Sequence, residues 1–189
     1  MFRRGVVRKK LPDLAGDMVE KWDFPALQRL IRRRPIVRKV IRRLLSPKVL
    51  LPKDFYDELA KDMVEADEGE EIIIYSPFTY KPRVDEITSF IRRSRAKVVV
   101  YTRPPESFTG ERKKWQERNI EALRGAGAEV HTRKGMHEKA VFIGERIAYF
   151  GSLNVLSRLD EKGGDYMLRY EGALVAPLIK EFLEEIETG

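Results

Sequence analysis

The chain has 189 residues, 35% of them charged, with 37 Lys and Arg against 30 Asp and Glu, a net charge of +7 and no cysteine. The missing thiols exclude a disulfide framework, cysteine chemistry and a cysteine-bound zinc cluster, and no apolar run approaches the ~18 residues of a membrane span. The length suits one domain with a substantial core. The basic start lacks the apolar stretch of a secretory signal, so the expected location is the cytoplasm.

Asparagine and glutamine number two each (Asn119, Asn154, Gln28, Gln116). Together with the charge content, this resembles the surface composition of a hyperthermophile protein. The charge is unevenly spread. Residues 1–53 carry sixteen basic and four acidic side chains, hence +12; residues 54–189 carry twenty-one and twenty-six, hence −5. A basic partner surface is therefore expected mostly at the N-terminal end.

Met1 to Lys10 is a basic lead-in. Phe24 to Arg34 reads as a helix opened by Pro25, and Pro35 opens a second. In that second helix Ile36, Val37, Val40, Ile41, Leu44 and Leu45 recur at helical spacing, with Arg38, Lys39, Arg42 and Arg43 opposite and Arg32, Arg33 and Arg34 at the preceding end. Three readings compete: a packed helix with a solvated basic face, a contact surface for a phosphate backbone, and an interfacial membrane helix. The third lacks aromatic anchors, and the second is preferred. Ser46-Pro47 and Pro52 mark a connector.

Asp54 to Ala66 reads as a helix with Asp54 as N-cap and Phe55, Leu59 and Met63 facing inward. Glu71 to Tyr75 is a buried-type strand, Arg83 to Ser94 a helix and Ala96 to Thr102 another buried strand. This is a βαβ unit with a parallel pair. Arg103 follows the carboxyl end of the second strand, where α/β proteins bind ligands; it reads equally as a phosphate contact or an ordinary loop arginine. Glu111 to Arg124 is a basic helix carrying Trp115, read chiefly as a solvated charged face. Ala128 to Thr132 is a strand, and His131 within it reads as structural.

Lys139 to Ile143 and Ile147 to Phe150 are apolar and rich in β-branched residues, with Gly144-Glu145 between them as a two-residue type II′ hairpin turn. That turn would set Ile143 opposite Arg146, Val141 opposite Ala148 and His137 opposite Ser152. His137, Lys139, Ser152 and Asn154 would then share one face. An imidazole, an ammonium, a hydroxyl and a carboxamide on one patch make a phosphate site with a nucleophile in it.

His137-x-Lys139 followed by Gly151-Ser152-x-Asn154 resembles the HKD signature of the phospholipase D superfamily, a coincidence on the order of 10⁻⁴ or less by average composition. Glu71 to Phe78, Val98 to Pro105, the Met-His-Glu-Lys start and the Ser-Leu-Asn-x-Leu-Ser end resemble the phospholipase D-type domain at the C-terminus of some DNA helicases. Roughly Asp54 to Glu185 is covered. In one departure, the family's aspartate five residues after the lysine is Gly144 here, in the turn and pointing away from the patch. The resemblance implies an α/β fold, a phospholipase D-like mixed β-sheet flanked by helices on both faces; the first fifty residues match no motif and are read, from their own pattern, as a basic helical N-terminal extension. Residues 1–53 would form the extension and 54–189 the catalytic domain.

After a Gly163-Gly164 loop, Asp165 to Tyr170 reads as a strand. Asp165 falls where the helicase-associated relatives place a glutamate; by that resemblance it would hold a histidine ring in one tautomer, while a plain strand-start aspartate is nearly as good a reading. Leu174, Leu178, Phe182, Leu183 and Ile186 mark a C-terminal amphipathic helix. The family's reaction needs two histidines, one forming a phosphohistidine and one acting as acid and base. One His-x-Lys per chain implies a homodimer with both motifs at the two-fold axis, no metal or other cofactor, and an acidic-to-neutral optimum. The expected function is a metal-independent nuclease, on DNA ahead of RNA, with a helicase or repair protein as the implied partner. A phosphatidyl transferase and a non-catalytic nucleic-acid binding module are the alternatives.

Overall fold

The computed structural model describes residues 47–157, 164–172 and 175–188. Seven strands form one mixed sheet in the order β1-β7-β6-β5-β2-β3-β4. They are β1 (Lys48–Leu50), β2 (Glu71–Tyr75), β3 (Lys97–Thr102), β4 (Glu129–Thr132), β5 (Ala140–Ile143), β6 (Ile147–Gly151) and β7 (Met167–Glu171). Four helices accompany them: α1 (Pro52–Val64), α2 (Lys81–Ile91), α3 (Glu111–Gly125) and α4 (Val175–Thr188).

The βαβ reading holds: β2, β3 and β4 run parallel, with Ile74 opposite Val100 and Val100 opposite Val130. The remaining strands pair antiparallel, β5 on β2, β6 on β5, β7 on β6 and β1 on β7. Alternation along each strand divides the apolar side chains between two faces. One face packs against α1, α2 and α3 through Ile72, Ile74, Val98, Val100, Val141, Ile143 and Tyr149, with Phe55, Leu59, Met63, Ile87 and Leu123 opposite. The other carries Ala140, Phe142, Ala148 and Tyr75, packed on Val175, Ile179, Phe182 and Leu183 of α4. Helices therefore cover both faces, as expected. Fully burying each large aliphatic or aromatic side chain contributes about 1.5–3 kcal/mol.

Several local expectations are corrected. The 46–52 connector contains an edge strand, β1, and Pro52 opens α1 instead of breaking a pattern. Leu51 is the N-cap, and Asp54 sits in the first turn, where its charge suits the positive end of the helix dipole. The last strand starts at Met167, which leaves Asp165 in the preceding loop. His131, read as structural, is exposed, and its contacts are structural ones: it stacks on Tyr101 and pairs with Glu129 at 2.7 Å.

The hairpin register is the correction with most consequence. The turn has three residues, Gly144 to Arg146, and Ile143 pairs with Ile147, Val141 with Tyr149 and Ala140 with Phe150. A two-residue turn would have slipped the strands by one place and mixed the two faces. The observed register gathers Val141, Ile143, Ile147 and Tyr149 on the α1–α3 side and frees Arg146. Its guanidinium clamps Glu70 at 2.8 and 3.2 Å and, as the chief cause, holds that carboxyl below its ordinary range. Gly144 has φ +52°, and a Cβ there would lie 2.6 Å from the Glu70 Oε1.

Across β6 and β7 to α1 runs a buried polar contact. Asp62, 4% exposed, accepts two hydrogen bonds from Arg169 at 2.8 and 3.1 Å, and Tyr149 donates its hydroxyl to the same carboxylate. Burial, followed by Asp62, drives the Tyr149 hydroxyl far above the usual phenol range.

Two outcomes follow. Gly144→Ala lowers stability by about 1–2 kcal/mol through the left-handed backbone alone, and Gly144→Asp, which restores the residue of the resembled motif, costs more because its carboxylate meets Glu70; urea unfolding measures both. Arg169→Met strands the Asp62 carboxylate and costs about 3–5 kcal/mol, most of it recovered when Asp62→Leu and Tyr149→Phe are added, which leave no buried polar group unpaired.

Candidate active site

The strand directions bring seven strand ends to one edge of the sheet. These are the carboxyl ends of β1, β2, β3, β4 and β6 and the amino ends of β5 and β7. Loops at the carboxyl ends of parallel strands are where α/β sheets bind ligands. Arg103, His137, Lys139, Ser152, Asn154 and Asp165 all lie at this edge. Gly144 lies at the other end of β5, away from them.

His137 to Lys139 precede β5 as extended chain, held from both sides. Met136 is buried and its carbonyl accepts a hydrogen bond from Arg103 Nε at 2.8 Å. Glu138 turns back to accept from the His137 backbone N–H at 2.8 Å and pairs with Arg133 at 2.5 Å. Burial pushes the Glu138 carboxyl up, but these donors and its own N–H outweigh it and hold the group below its ordinary range. The His137 ring is exposed, with Lys139 Nζ 3.4 Å from its Nε2. Lys139 also donates to the His137 carbonyl at 2.8 Å. Burial and then the Arg103 guanidinium hold the ammonium below the ordinary lysine range, with Asp165 and Glu138 pulling the other way. Those influences mark Arg103, Lys139 and Asp165 as electrostatic neighbours.

Ser152 and Asn154 reach this edge by another route than a shared strand face. β6 ends at Gly151, which passes so close to β7 that a Cβ would stand 2.1 Å from the Tyr166 carbonyl. The chain then bends. Leu153, Val155 and Leu156 plug into the core, the Leu156 N–H donates to Ser76 Oγ at 3.0 Å, and its carbonyl accepts from the Tyr80 N–H at 2.6 Å. Ser152 Oγ donates to Asp165 at 2.6 Å and accepts from the Tyr166 N–H at 3.2 Å. The hydroxyl is thus engaged in fixing Asp165. Among the described residues no hydrogen bond joins Asp165 to the His137 ring. Asn154 Oδ1 is buried without a hydrogen-bond partner, and an orphaned polar atom is uncommon enough to point to a function.

Arg103 stacks its guanidinium over Phe78 at 4.8 Å. Behind it lies a polar network that the sequence reading missed. Gln116, buried on α3, donates to the Arg103 carbonyl at 2.8 Å and to Thr102 Oγ1 at 3.1 Å. Its Oε1 accepts from Thr79 at 2.7 Å, and Thr79 accepts from Asn119 at 2.9 Å. The available signal was scarcity: a chain with two Asn and two Gln places Gln116 and Asn119 three residues apart on one helix. Arg32, Arg33, Arg34, Arg38, Arg42 and Arg43 lie outside the described residues. Among the described residues no cluster of His, Asp or Glu is arranged to hold a metal ion, and no helix is long and apolar enough to cross a membrane.

No family model matches the sequence, and no curated protein does. Solved structures match in fold. NucT from Helicobacter pylori superposes with a TM-score of 0.56 at 18% identity, over 74% of this chain and 94% of that one. Nuc from Salmonella typhimurium, a phospholipase D family member, gives 0.54 at 15% identity, over 74% of this chain and 93% of that one. Polyphosphate kinase from Porphyromonas gingivalis gives 0.54 at 19% identity over 92% of this chain, though only 29% of the kinase is covered. With the mixed seven-stranded sheet and its flanking helices, these likenesses show a phospholipase D-like fold.

Proposed function

We propose that this protein is a phosphodiesterase that cleaves nucleic acid, DNA ahead of RNA, without a metal ion and through a phosphohistidine. The observation that carries the reading is the Lys139 ammonium 3.4 Å from Nε2 of an exposed His137, at an edge that also holds Arg103 and Asn154. A phosphodiester needs a nucleophile, cations for the charge gathering on its oxygens, and hydrogen-bond donors. His137, the pair Lys139 and Arg103, and the amide of Asn154 match those needs in turn.

The proposed reaction has two displacements at phosphorus. His137 Nε2 attacks and forms a P–N bond as the P–O bond to the leaving group breaks. The leaving oxygen takes a proton from the protonated His137 of the partner subunit. Water then attacks phosphorus and gives one of its own protons to the partner's now neutral imidazole, and the P–N bond breaks to release the phosphomonoester and free His137. Because the chain has a single His-x-Lys, the second histidine comes from a second copy in a two-fold dimer. Ser152 supports the site by holding Asp165 at 2.6 Å. Asp165, near Lys139, balances positive charge when two lysines and two Arg103 meet. The charge of residues 1–53, +12 by composition, suits contacts of Arg32, Arg33, Arg34, Arg38, Arg42 and Arg43 with the phosphate backbone.

Cleavage of labelled DNA and RNA in EDTA tests the reading. Wild type is expected to cleave, and His137→Ala to lose activity by about 10³-fold or more with unchanged unfolding. Light scattering should give twice the 22.0 kDa of one chain. Cleavage that requires magnesium and survives His137→Ala would overturn the mechanism, and a fully active monomer would overturn the shared site.

A further inference from the structure

A cleft of about 350 Å³ opens between α2 and α3, its walls including Tyr80, Lys81 and Asp85 on one side and Trp115, Arg118, Asn119 and Ala122 on the other. On α3 the lining residues Trp115, Arg118, Asn119 and Ala122 recur at the spacing of one helix face. Trp115 stands in a run of charged neighbours, Glu111 to Lys114, and is 53% exposed; Tyr80 across the cleft is 43% exposed. Two large aromatic side chains left open to water in one concavity contribute little to the core. Two chains of hydrogen bonds lead from its lining residues toward the edge that holds His137. Thr79 and Asn119 bond through Gln116 to the Arg103 carbonyl, and Arg103 bonds Met136, the neighbour of His137. The Tyr80 N–H is tied to Leu156, two residues from Asn154. At the rim, Lys81 is paired with Asp85 at 2.6 Å, and Arg118 has no carboxylate partner among the described residues.

We propose that this cleft is a subsite for one unpaired nucleobase of the substrate strand, adjacent to the phosphate held at His137. Flat aromatic walls recognise any base by its π-face, at about 1–3 kcal/mol per stacked base, and Arg118 and Lys81 lie where the sugar-phosphate chain enters and leaves. A base inside a duplex stack cannot enter such a cleft, so the subsite selects single-stranded or unpaired substrate. The proposal deepens the nuclease reading and rests on it for the identity of the strand.

The test uses His137→Ala protein in EDTA, so that binding is read without turnover, and a short fluorescein-labelled single-stranded DNA whose anisotropy reports affinity. Trp115→Ala in that background is expected to weaken single-strand binding about 5-fold or more and to leave duplex binding unchanged, while Trp115→Phe restores most of the loss. In a series of strands with one abasic nucleotide, a single position should lose affinity, and Trp115→Ala should abolish that position dependence. In the otherwise wild-type protein, Trp115→Ala is expected to raise the KM for the oligonucleotide and leave hydrolysis of bis(p-nitrophenyl) phosphate, which has no base, unaltered. Equal single-strand affinity with and without Trp115 overturns the subsite and leaves the nuclease reading standing. Failure of the wild type to hydrolyse either substrate overturns the nuclease reading, and the binding series then still decides the cleft.

Discussion

The antiparallel pairing of β5 on β2, with Tyr75 opposite Ala140, is the constraint from which the site's position follows. Had β5 continued the parallel run of β2, β3 and β4, its amino end would sit at the far edge of the sheet, a strand length from Arg103. Reversal puts the start of β5 beside the ends of β2 and β3. The hairpin to β6 and the return of β7 then carry Ser152, Asn154 and Asp165 to the same edge. The pairing is secured by burial on both faces: Ile72, Ile74, Val141 and Ile143 against one set of helices, and Phe142 and Ala140 against α4. At the opposite edge, the Glu70–Arg146 clamp and the tight turn at Gly144 fix the register that the active edge inherits.

Chemistry at this edge is set by unequal satisfaction of polar groups. Gln116, Thr79, Asn119 and Thr102 form a buried network joined by hydrogen bonds of 2.7 to 3.1 Å. Such a network holds the loop after β3 rigid. Glu138 is fixed by the His137 N–H and Arg133. In contrast, the His137 ring faces solvent, Lys139 is held below its usual range by burial and Arg103, and Asn154 Oδ1 has no partner. A rigid, saturated support thus lies beneath a solvent-facing imidazole and its neighbouring ammonium.

Much of this was legible in the sequence, for identifiable reasons. Runs such as Ile72 to Ile74 and Val98 to Val100 are too apolar to be anything but doubly covered strands, and the helix between them forces a parallel crossover. The His-x-Lys and Gly-Ser-x-Asn spacings pointed to candidate residues that the fold brings to one end of the sheet, because side-chain chemistry is written in residue type. The hairpin register was misread because Gly144-Glu145 is good two-residue turn chemistry, and the deciding partner for Arg146 is Glu70, remote in sequence. Ser152 and Asn154 reach the edge because Gly151 allows β7 to approach and the chain to bend, a tertiary effect with no local signature. Gln116 and Asn119 lay on a helix that read as a solvated charged face. Only their rarity in this composition hinted that they were retained for a buried role, and Trp115 next to them was open to the same misreading.

The stereochemical course at phosphorus tests the phosphohistidine most directly. Each in-line displacement inverts the configuration, so attack by His137 followed by attack by water gives net retention. With a dinucleotide carrying a phosphorothioate of single chirality, cleaved in oxygen-18 water, the account predicts retention in the product. Inversion would mean that water attacks the diester directly and that His137 forms no bond to phosphorus.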